Sequence, residues 1–306
     1  MGEVVYIQIK QEDGYITRLT RYVCPQKPKA SILILHGMSE HQLRYQHFAE
    51  YLNQSGYEVY SYDHRGHGKE RRLFELGFFA PDNGYQLVVH DAITISKYIE
   101  ENNYCNKLFL LGHSMGSLIA RNVIQSYDHY SGVILSGTMY PSKLTVHSAL
   151  IIASVIKKFK GPKKLSPFLN NLLFSNKYYT SHSSRTVFDW LTRSNSIVGA
   201  YINDPYCGFI CSTSFYHDLL TLVLNASRKN LISNTNKNLP LYVISGDKDP
   251  VSSYSKEIKK YLHVLKTLGF SDVNSKIYPN CRHEVLNELN REEVYLDISN
   301  WITKNI

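Results

Sequence analysis

The chain has 306 residues, of which 43% are hydrophobic, and its formal net charge at pH 7 is +8, so an ordinary globular protein with a sizeable core is expected. No apolar stretch approaches the roughly 18 residues that span a bilayer, and the N-terminal residues lack the apolar core of a signal peptide. Five cysteines, an odd and scattered set, favour free thiols and a cytoplasmic location over a disulfide framework.

Strand and helix patterns alternate along most of the chain. The first two strand-like segments are joined by Glu12-Asp13-Gly14, a sequence typical of a hairpin turn. Short apolar runs then alternate with helical periodicity, which predicts βα units and a mainly parallel, doubly wound α/β sheet covered on both faces. The predicted strands are residues 4–9, 15–22, 31–35, 57–62, 107–111, 132–136, 239–245 and 273–278, and the predicted helices are residues 45–54, 86–101, a helix after Ser114, 255–268 and 284–302.

The alternation fails between residues 140 and 215. This segment is rich in Ser, Lys, Asn, Tyr and Phe and has helical patches without a clear buried strand. It is therefore predicted to be an inserted helical cap, with residues 1–139 and 216–306 forming the core. Within it, the apolar residues 149–156 precede the lysine-rich residues 157–164. This arrangement suits a membrane or lipid-aggregate surface, and the alternative is a solvated helix end.

The positive net charge also raises nucleic acid as a partner. No recognised nucleic-acid-binding module accompanies the charge, so nucleic-acid binding is not expected.

One motif lies between a predicted strand and a predicted helix. Gly112-His113-Ser114-Met115-Gly116 has the Gly-Xaa-Ser-Xaa-Gly spacing of a nucleophile elbow, in which a sharp turn points the serine hydroxyl above the sheet. Gly112 and Gly116 relieve the crowding in such a turn. Ser114 is thus the candidate nucleophile, and the alternative is a glycine-rich turn with an idle serine.

A serine hydroxyl becomes nucleophilic when an imidazole accepts its proton and a carboxylate orients that imidazole. His283 follows the last predicted strand and precedes the closing helix, although a helix cap or a surface position is the alternative. Asp247 and Asp249 share the loop after the preceding strand. Because Pro250 restricts Asp249 to extended backbone, Asp249 is chosen as the acid and Asp247 as a turn residue. The order Ser, Asp, His is one that hydrolases use.

Acyl transfer also requires N–H donors for the oxyanion. The Met115 N–H, at the positive end of its helix, is one candidate. The Met38 N–H, in the loop after the strand at residues 31–35, is the other, with Gly37 permitting the turn. For His36 a structural role is expected.

Two polar groupings resemble ligand sites but do not predict a metal. Residues 63–68 carry two histidines without a second ligand cluster, so Asp63 and Arg65 are expected to form hydrogen bonds beneath the site. Cys207 and Cys211 lack partner ligands at zinc spacing, so core packing is expected for both.

Four segments together resemble the monoacylglycerol lipase and lysophospholipase branch of the α/β-hydrolases. They are residues 35–41 (LHGMSEH), 62–68 (YDHRGHG), 112–116 (GHSMG) and 282–284 (RHE). The resemblance spans most of the chain and implies an α/β-hydrolase fold, hydrolysis of single-chain lipid esters without a cofactor, and a helical cap that shapes an acyl pocket. It also supports Asp249 over Asp247. Lys69-Glu70 departs from the family, which often has a serine after Gly-His-Gly.

Three functional hypotheses follow. The first is a serine ester hydrolase that cleaves monoacylglycerol or lysophospholipid. The second is an aminopeptidase of the proline-iminopeptidase type or an acyl thioesterase; an aminopeptidase would need cap carboxylates, for which Asp189, Asp204 and Asp218 are the candidates. The third is a noncatalytic binding module, which would not need the order Ser114, Asp249, His283.

Overall fold

The computed structural model describes residues 3–102, 105–174 and 185–306. Its strands are β1 (Val4–Lys10), β2 (Ile16–Tyr22), β3 (Ser31–Leu35), β4 (Glu58–Tyr62), β5 (Leu108–His113), β6 (Gly132–Ser136), β7 (Leu241–Gly246) and β8 (Val273–Tyr278). They form one eight-stranded sheet in the order β1-β2-β4-β3-β5-β6-β7-β8. β2 pairs antiparallel with β1 and β4, and the other neighbours are parallel, so the predicted mainly parallel sheet is confirmed.

The central strands are apolar because both faces of the sheet are covered. Every residue of β3, β5, β6 and β7 is buried, as expected for parallel strands between two helical layers. β1, at the edge of the sheet, is mostly exposed or half-buried. Because these strands run parallel, the carboxyl ends of β3, β5, β7 and β8 lie at one edge of the sheet, where the candidate site residues lie.

Helices flank the sheet on both sides. The helices are α1 (Gln46–Gln54), α2 (Gly84–Asn102), α3 (Met115–Val123), α4 (Lys143–Lys160), α5 (Pro167–Phe174), α6 (Asn195–Asn203), α7 (Thr213–Ser227), α8 (Lys229–Ile232), α9 (Lys256–Thr267) and α10 (Arg291–Lys304). Apolar side chains of α1 and α10 pack on one face with Ile32 and Phe109. Those of α2, α3, α7 and α9 join the core on the other face. Doubly wound α/β architecture is therefore present.

Residues 140–215, the predicted cap, contain α4, α5 and α6. Among the described residues of this segment, the pairing of Leu165 with Ser212 is an isolated bridge rather than a strand, as expected. α4 packs on α7, which itself packs on α2 and α3 of the core. Residues 175–184 of the predicted cap lie outside the described residues, and its assignment as a separate domain stays a prediction.

The predicted closing helix at residues 284–302 is wrong at its start. Helix α10 begins at Arg291, and residues 285–287 form a short 3-10 turn instead. The carboxylates of Glu284 and Glu288 explain the difference, because they turn inward to accept hydrogen bonds from Arg44 and from the Arg282 N–H. A continuous helix from residue 284 would not leave these inward contacts in place.

Candidate active site

Ser114 lies at the turn between β5 and α3. Its φ of 51° and ψ of −117° are uncommon for a residue with a side chain, and such strain concentrates at functional sites. The Ser114 N–H donates to the Ser136 carbonyl at 2.9 Å, and the Ser117 hydroxyl donates to the Ser114 carbonyl at 2.6 Å. These contacts fix the turn from both sides.

Gly112 and Gly116 allow the chain segments around this turn to approach closely. A Cβ at Gly112 would lie 2.3 Å from the Gly116 carbonyl oxygen, and a Cβ at Gly116 would lie 2.1 Å from the Leu35 oxygen. Neither glycine has a positive φ, so lack of space, rather than backbone conformation, requires glycine at both positions.

Asp249 and His283 meet above the carboxyl ends of β7 and β8. His283 Nδ1 lies 3.0 Å from Asp249 Oδ1, and both side chains are almost fully buried. Because a carboxylate only accepts, Nδ1 carries the proton and Nε2 of the neutral ring is left free to accept one. Asp247, by contrast, is 36% exposed and lies 3.4 Å from the Lys248 ammonium. The structure thus brings Asp249, and not Asp247, to the histidine.

Opposing effects act on the His283 imidazole. Burial lowers its pKa, but the Asp249 carboxylate, together with Glu284 and Glu40, outweighs burial and raises the pKa above the ordinary value. His113, whose ring centroid lies 4.8 Å from that of His283, has a pKa lowered by burial to about 3 and is therefore neutral. The surroundings of His283 favour its cationic form, as proton acceptance requires.

The backbone of residues 37–39 forms the turn that holds Met38. The Gly37 N–H donates to Glu40 Oε1 at 2.5 Å, and a Cβ at Gly37 would lie 3.3 Å from the Ser114 Cβ. Ser39 has a φ of 51°. The Ser39 carbonyl accepts two hydrogen bonds of 2.9 Å, one from the Gly208 N–H and one from the Tyr201 hydroxyl. Both donors lie in the predicted cap. Contacts from the predicted cap therefore hold this turn in a strained conformation.

His36 and the loop at residues 63–68 support the turn from the core. His36 Nε2 accepts the His64 N–H at 3.0 Å, so Nδ1 carries the proton and donates to the Gly37 carbonyl at 2.7 Å. Burial lowers the pKa of His36 well below its ordinary value. Its contacts with His64 and Gly37 are those of a structural residue, as expected. Asp63 accepts from the Gln42 N–H, and Arg65 pairs with Asp91, so the hydrogen bonds expected of this loop are present.

A cavity of about 630 Å³ opens at Ser114. Met38, Met115 and His283 line it together with Ser114, so the two residues whose N–H groups are the candidate oxyanion donors lie beside the candidate nucleophile. The remaining lining is mainly apolar and comes largely from residues 139–223: Met139, Val146, Ala149, Leu172, Leu173, Phe174, Val187, Phe188, Trp190, Leu191, Phe209, Leu219, Leu220 and Val223. Such a lining suits an acyl chain.

Three charged residues beside the site were not assigned from the sequence. Arg44 lies between the buried carboxylates of Glu40 and Glu284, and both carboxylates line the cavity. The spacing of Glu40 and Arg44 by four residues is a signal for a pair. No spacing in the sequence links Glu284 to them, because 240 residues separate Glu284 from Arg44.

His41, Asp204 and Cys207 form a further polar cluster, with one possible ligand atom from each within 4.8 Å of the others. The Lys69 ammonium lies 2.9 Å from Asp204 Oδ2, so the cluster already contains a cation. We therefore assign it to holding residues 204–209 against the turn and not to metal binding. Cys211 is fully buried, as expected, whereas Cys207 is half-buried.

Comparison with known proteins agrees with the fold. Over 289 residues the chain is 27% identical to a monoacylglycerol lipase of Mycolicibacterium smegmatis, which covers 91% of this chain and 90% of that protein. It is 27% identical to phospholipase YtpA of Bacillus subtilis, over 88% of this chain and 93% of that one. A thermostable carboxyl esterase from Bacillus coagulans, solved with glycerol, superposes with a TM-score of 0.89 at 26% identity, over 99% of both chains.

These likenesses confirm the resemblance that the four sequence segments indicated. The family model described as serine aminopeptidase, S33, matches residues 26–290, which is most of the chain. The chain belongs to this family of α/β-hydrolases.

Proposed function

We propose that the protein is a serine carboxylic-ester hydrolase that cleaves the acyl ester of a single-chain lipid, a monoacylglycerol or a lysophospholipid. One observation carries the proposal: Ser114, on its strained turn, and His283, which is hydrogen-bonded to the buried Asp249, line the same mainly apolar cavity. The apolar lining accommodates the acyl chain of the lipid, so that its ester carbonyl lies beside Ser114. The names of the relatives, monoacylglycerol lipase and phospholipase, support this substrate class.

The proposed reaction uses residues of this chain alone. Ser114 Oγ attacks the ester carbonyl while His283 Nε2 takes the hydroxyl proton, and Asp249 stabilises the resulting imidazolium. The N–H groups of Met38 and Met115 hold the oxyanion. His283 then gives its proton to the leaving alcohol, which departs and leaves an acyl ester on Ser114. A water molecule, activated by His283, hydrolyses that ester and releases the fatty acid.

Helix α4 supports contact with a lipid surface. Ile151, Val155 and Phe159 recur every four residues and are 65%, 49% and 82% exposed, so the helix presents an apolar stripe outward. Lys158 and Lys160 are exposed near its C-terminal end. An exposed apolar stripe next to lysines is typical of a helix that lies in a membrane interface, and we propose peripheral contact there. Within the described ranges, no helix has the length and apolar character to cross a bilayer.

The aminopeptidase hypothesis finds less support. Asp189 accepts hydrogen bonds from residues 185 and 186, and Asp204 pairs with His41 and Lys69. In the part of the chain that the structure describes, neither these carboxylates nor Asp218 line the cavity at Ser114. A substrate ammonium group bound in the cavity would therefore lack the three cap carboxylates considered for it.

A substrate panel tests the proposal. Monoacylglycerols, lysophospholipids, acyl thioesters and aminoacyl amides are offered to the wild type and to Ser114→Ala. We expect the fastest release of fatty acid from one of the two lipid esters and no release above background by Ser114→Ala. Activity that survives Ser114→Ala, or a preference for aminoacyl amides, would contradict the proposal.

A further inference from the structure

A buried cluster of three charged side chains connects the turn at residues 37–39 with the loop that carries His283. Arg44 donates two hydrogen bonds to the Glu284 carboxylate, at 2.7 and 2.6 Å, in the bidentate geometry that makes such pairs strong. The same guanidinium donates to Glu40. Glu40 in turn accepts the Gly37 N–H at 2.5 Å and the Tyr45 hydroxyl at 2.8 Å. The chain of contacts runs without a break from Gly37 to the residue next to His283.

This cluster is a costly way to provide stability. The exposed fractions of the side chains are 3% for Glu40, 11% for Arg44 and 4% for Glu284, so all three have lost most of their hydration. Buried ion clusters are often no more stabilising than apolar residues of the same volume. Perturbed buried charges are also typical of functional sites. The position of this cluster, between two loops that the proposed reaction uses, therefore points to a role in the reaction.

We infer that Arg44, with Glu40 and Glu284, is a positioning element that sets the Met38 turn relative to His283 and keeps negative charge beside the imidazole. The inference rests on the proposed function. None of the three residues is assigned contact with the reacting atoms. Arg44 acts through Glu40 on the turn and through Glu284 on the histidine loop.

The charges that face His283 come from several elements. Asp249 faces it from the loop after β7, Glu284 from its own loop, and Glu40 from the segment after β3. Arg44 pairs with Glu40 and Glu284. Of the neighbouring rings, His113 is neutral and Trp190, at 5.1 Å between centroids, carries no charge. Arg44 lowers the pKa of the Glu284 carboxyl against the effect of burial, so Glu284 stays anionic when His283 titrates. Removing that anion destabilises the imidazolium.

The pH dependence of kcat/KM tests the charge effect in Glu284→Gln, which keeps the shape of the side chain. Because neutral His283 is the active form, a lower pKa moves the acid limb to lower pH, and we expect a shift of about 0.5 unit or more. Glu288→Gln is the matched control, since Glu288 is on the same loop as His283, is also buried, and pairs with the sequence-distant Arg193. Its acid limb should stay at the wild-type position. An unshifted limb in Glu284→Gln, or an equal shift in both variants, would overturn the charge effect.

Arg44→Lys tests the positioning effect and covers the case in which Glu284→Gln fails to fold. A lysine keeps the charge but cannot form the bidentate pair. We expect kcat to fall by about tenfold while KM changes by less than about threefold, as for an interaction made in the transition state. An unchanged kcat in a folded Arg44→Lys variant would overturn the positioning role. All these variants are assayed on one soluble short-chain ester, together with Ser114→Ala. Activity of Ser114→Ala would refute the serine mechanism, whereas the role of the cluster is decided by the Glu284→Gln and Arg44→Lys variants.

Discussion

Replacement of Asp249 by asparagine tests the assignment of the acid, and Asp247→Asn is the matched control. The Asp249 carboxylate accepts from His283 Nδ1 at 3.0 Å, from the Val251 N–H at 2.9 Å and from the Ser245 hydroxyl at 3.3 Å. An asparagine has one acceptor oxygen, so its NH₂ group must face part of this set. If it faces His283, the ring takes the wrong tautomer; if it faces Ser245, the ring orientation survives without the negative charge.

Both arrangements destabilise the imidazolium of His283, whose side chain is almost fully buried. We expect kcat of Asp249→Asn to fall by about 10³-fold to 10⁴-fold, which corresponds to about 4 to 5.5 kcal/mol of transition-state stabilisation. Asp247→Asn should stay within about threefold of the wild type, because Asp247 is partly exposed and its ion pair with Lys248 is a surface pair.

Steady-state hydrolysis of a soluble short-chain ester measures both variants, and circular dichroism checks that each is folded. A loss confined to Asp249→Asn supports the assignment. Equal activities of the two folded variants, or the larger loss in Asp247→Asn, would show that Asp249 is not the acid that orients His283.

Three further predictions concern the histidine, the turn and the exposed helix. Because neighbouring carboxylates raise the pKa of His283, kcat/KM should rise with pH through a midpoint above the ordinary value of 6.5; a midpoint below that value in a pH profile would contradict the charge balance. Tyr201→Phe removes one of two hydrogen bonds to the Ser39 carbonyl and should lower kcat by about threefold to tenfold, whereas Tyr206→Phe, the control, should not; equal kinetics of the two would show that the hydroxyl is dispensable. Lys158→Gln with Lys160→Gln should weaken binding to anionic vesicles, measured by sedimentation, and spare hydrolysis of a soluble ester; an equal loss in both assays would exclude an interfacial role.

The fold was predictable where sequence periodicity is direct. Buried parallel strands are nearly continuous apolar runs, so the segments that became β3, β5 and β6 were readable from the sequence. The start of α10 was not. Residues 284–290 have a helical pattern, but the inward hydrogen bonds of Glu284 and Glu288 with Arg44 and Arg193 depend on partners that are distant in sequence.

The candidate site was likewise predictable only in part. Ser114, Asp249 and His283 follow predicted strands, so their motifs and their order indicated a common edge of the sheet. Arg44 and Glu284 are 240 positions apart in the sequence, so no local pattern predicts that they form an ion pair. The same holds for Tyr201 and the Ser39 carbonyl, because the path of the segment at residues 140–215 is set by packing and not by a local pattern.

Detection of an acyl-enzyme on Ser114 is the sharpest test of the proposed serine mechanism. The wild type is mixed with excess monoacylglycerol, quenched in acid within the first turnovers, digested and analysed by mass spectrometry. We predict that the peptide containing Ser114 gains the mass of the fatty acid less one water and that Ser114→Ala shows neither the adduct nor turnover. Turnover of the ester by Ser114→Ala, or an acyl adduct on a different residue of the wild type, would contradict the mechanism.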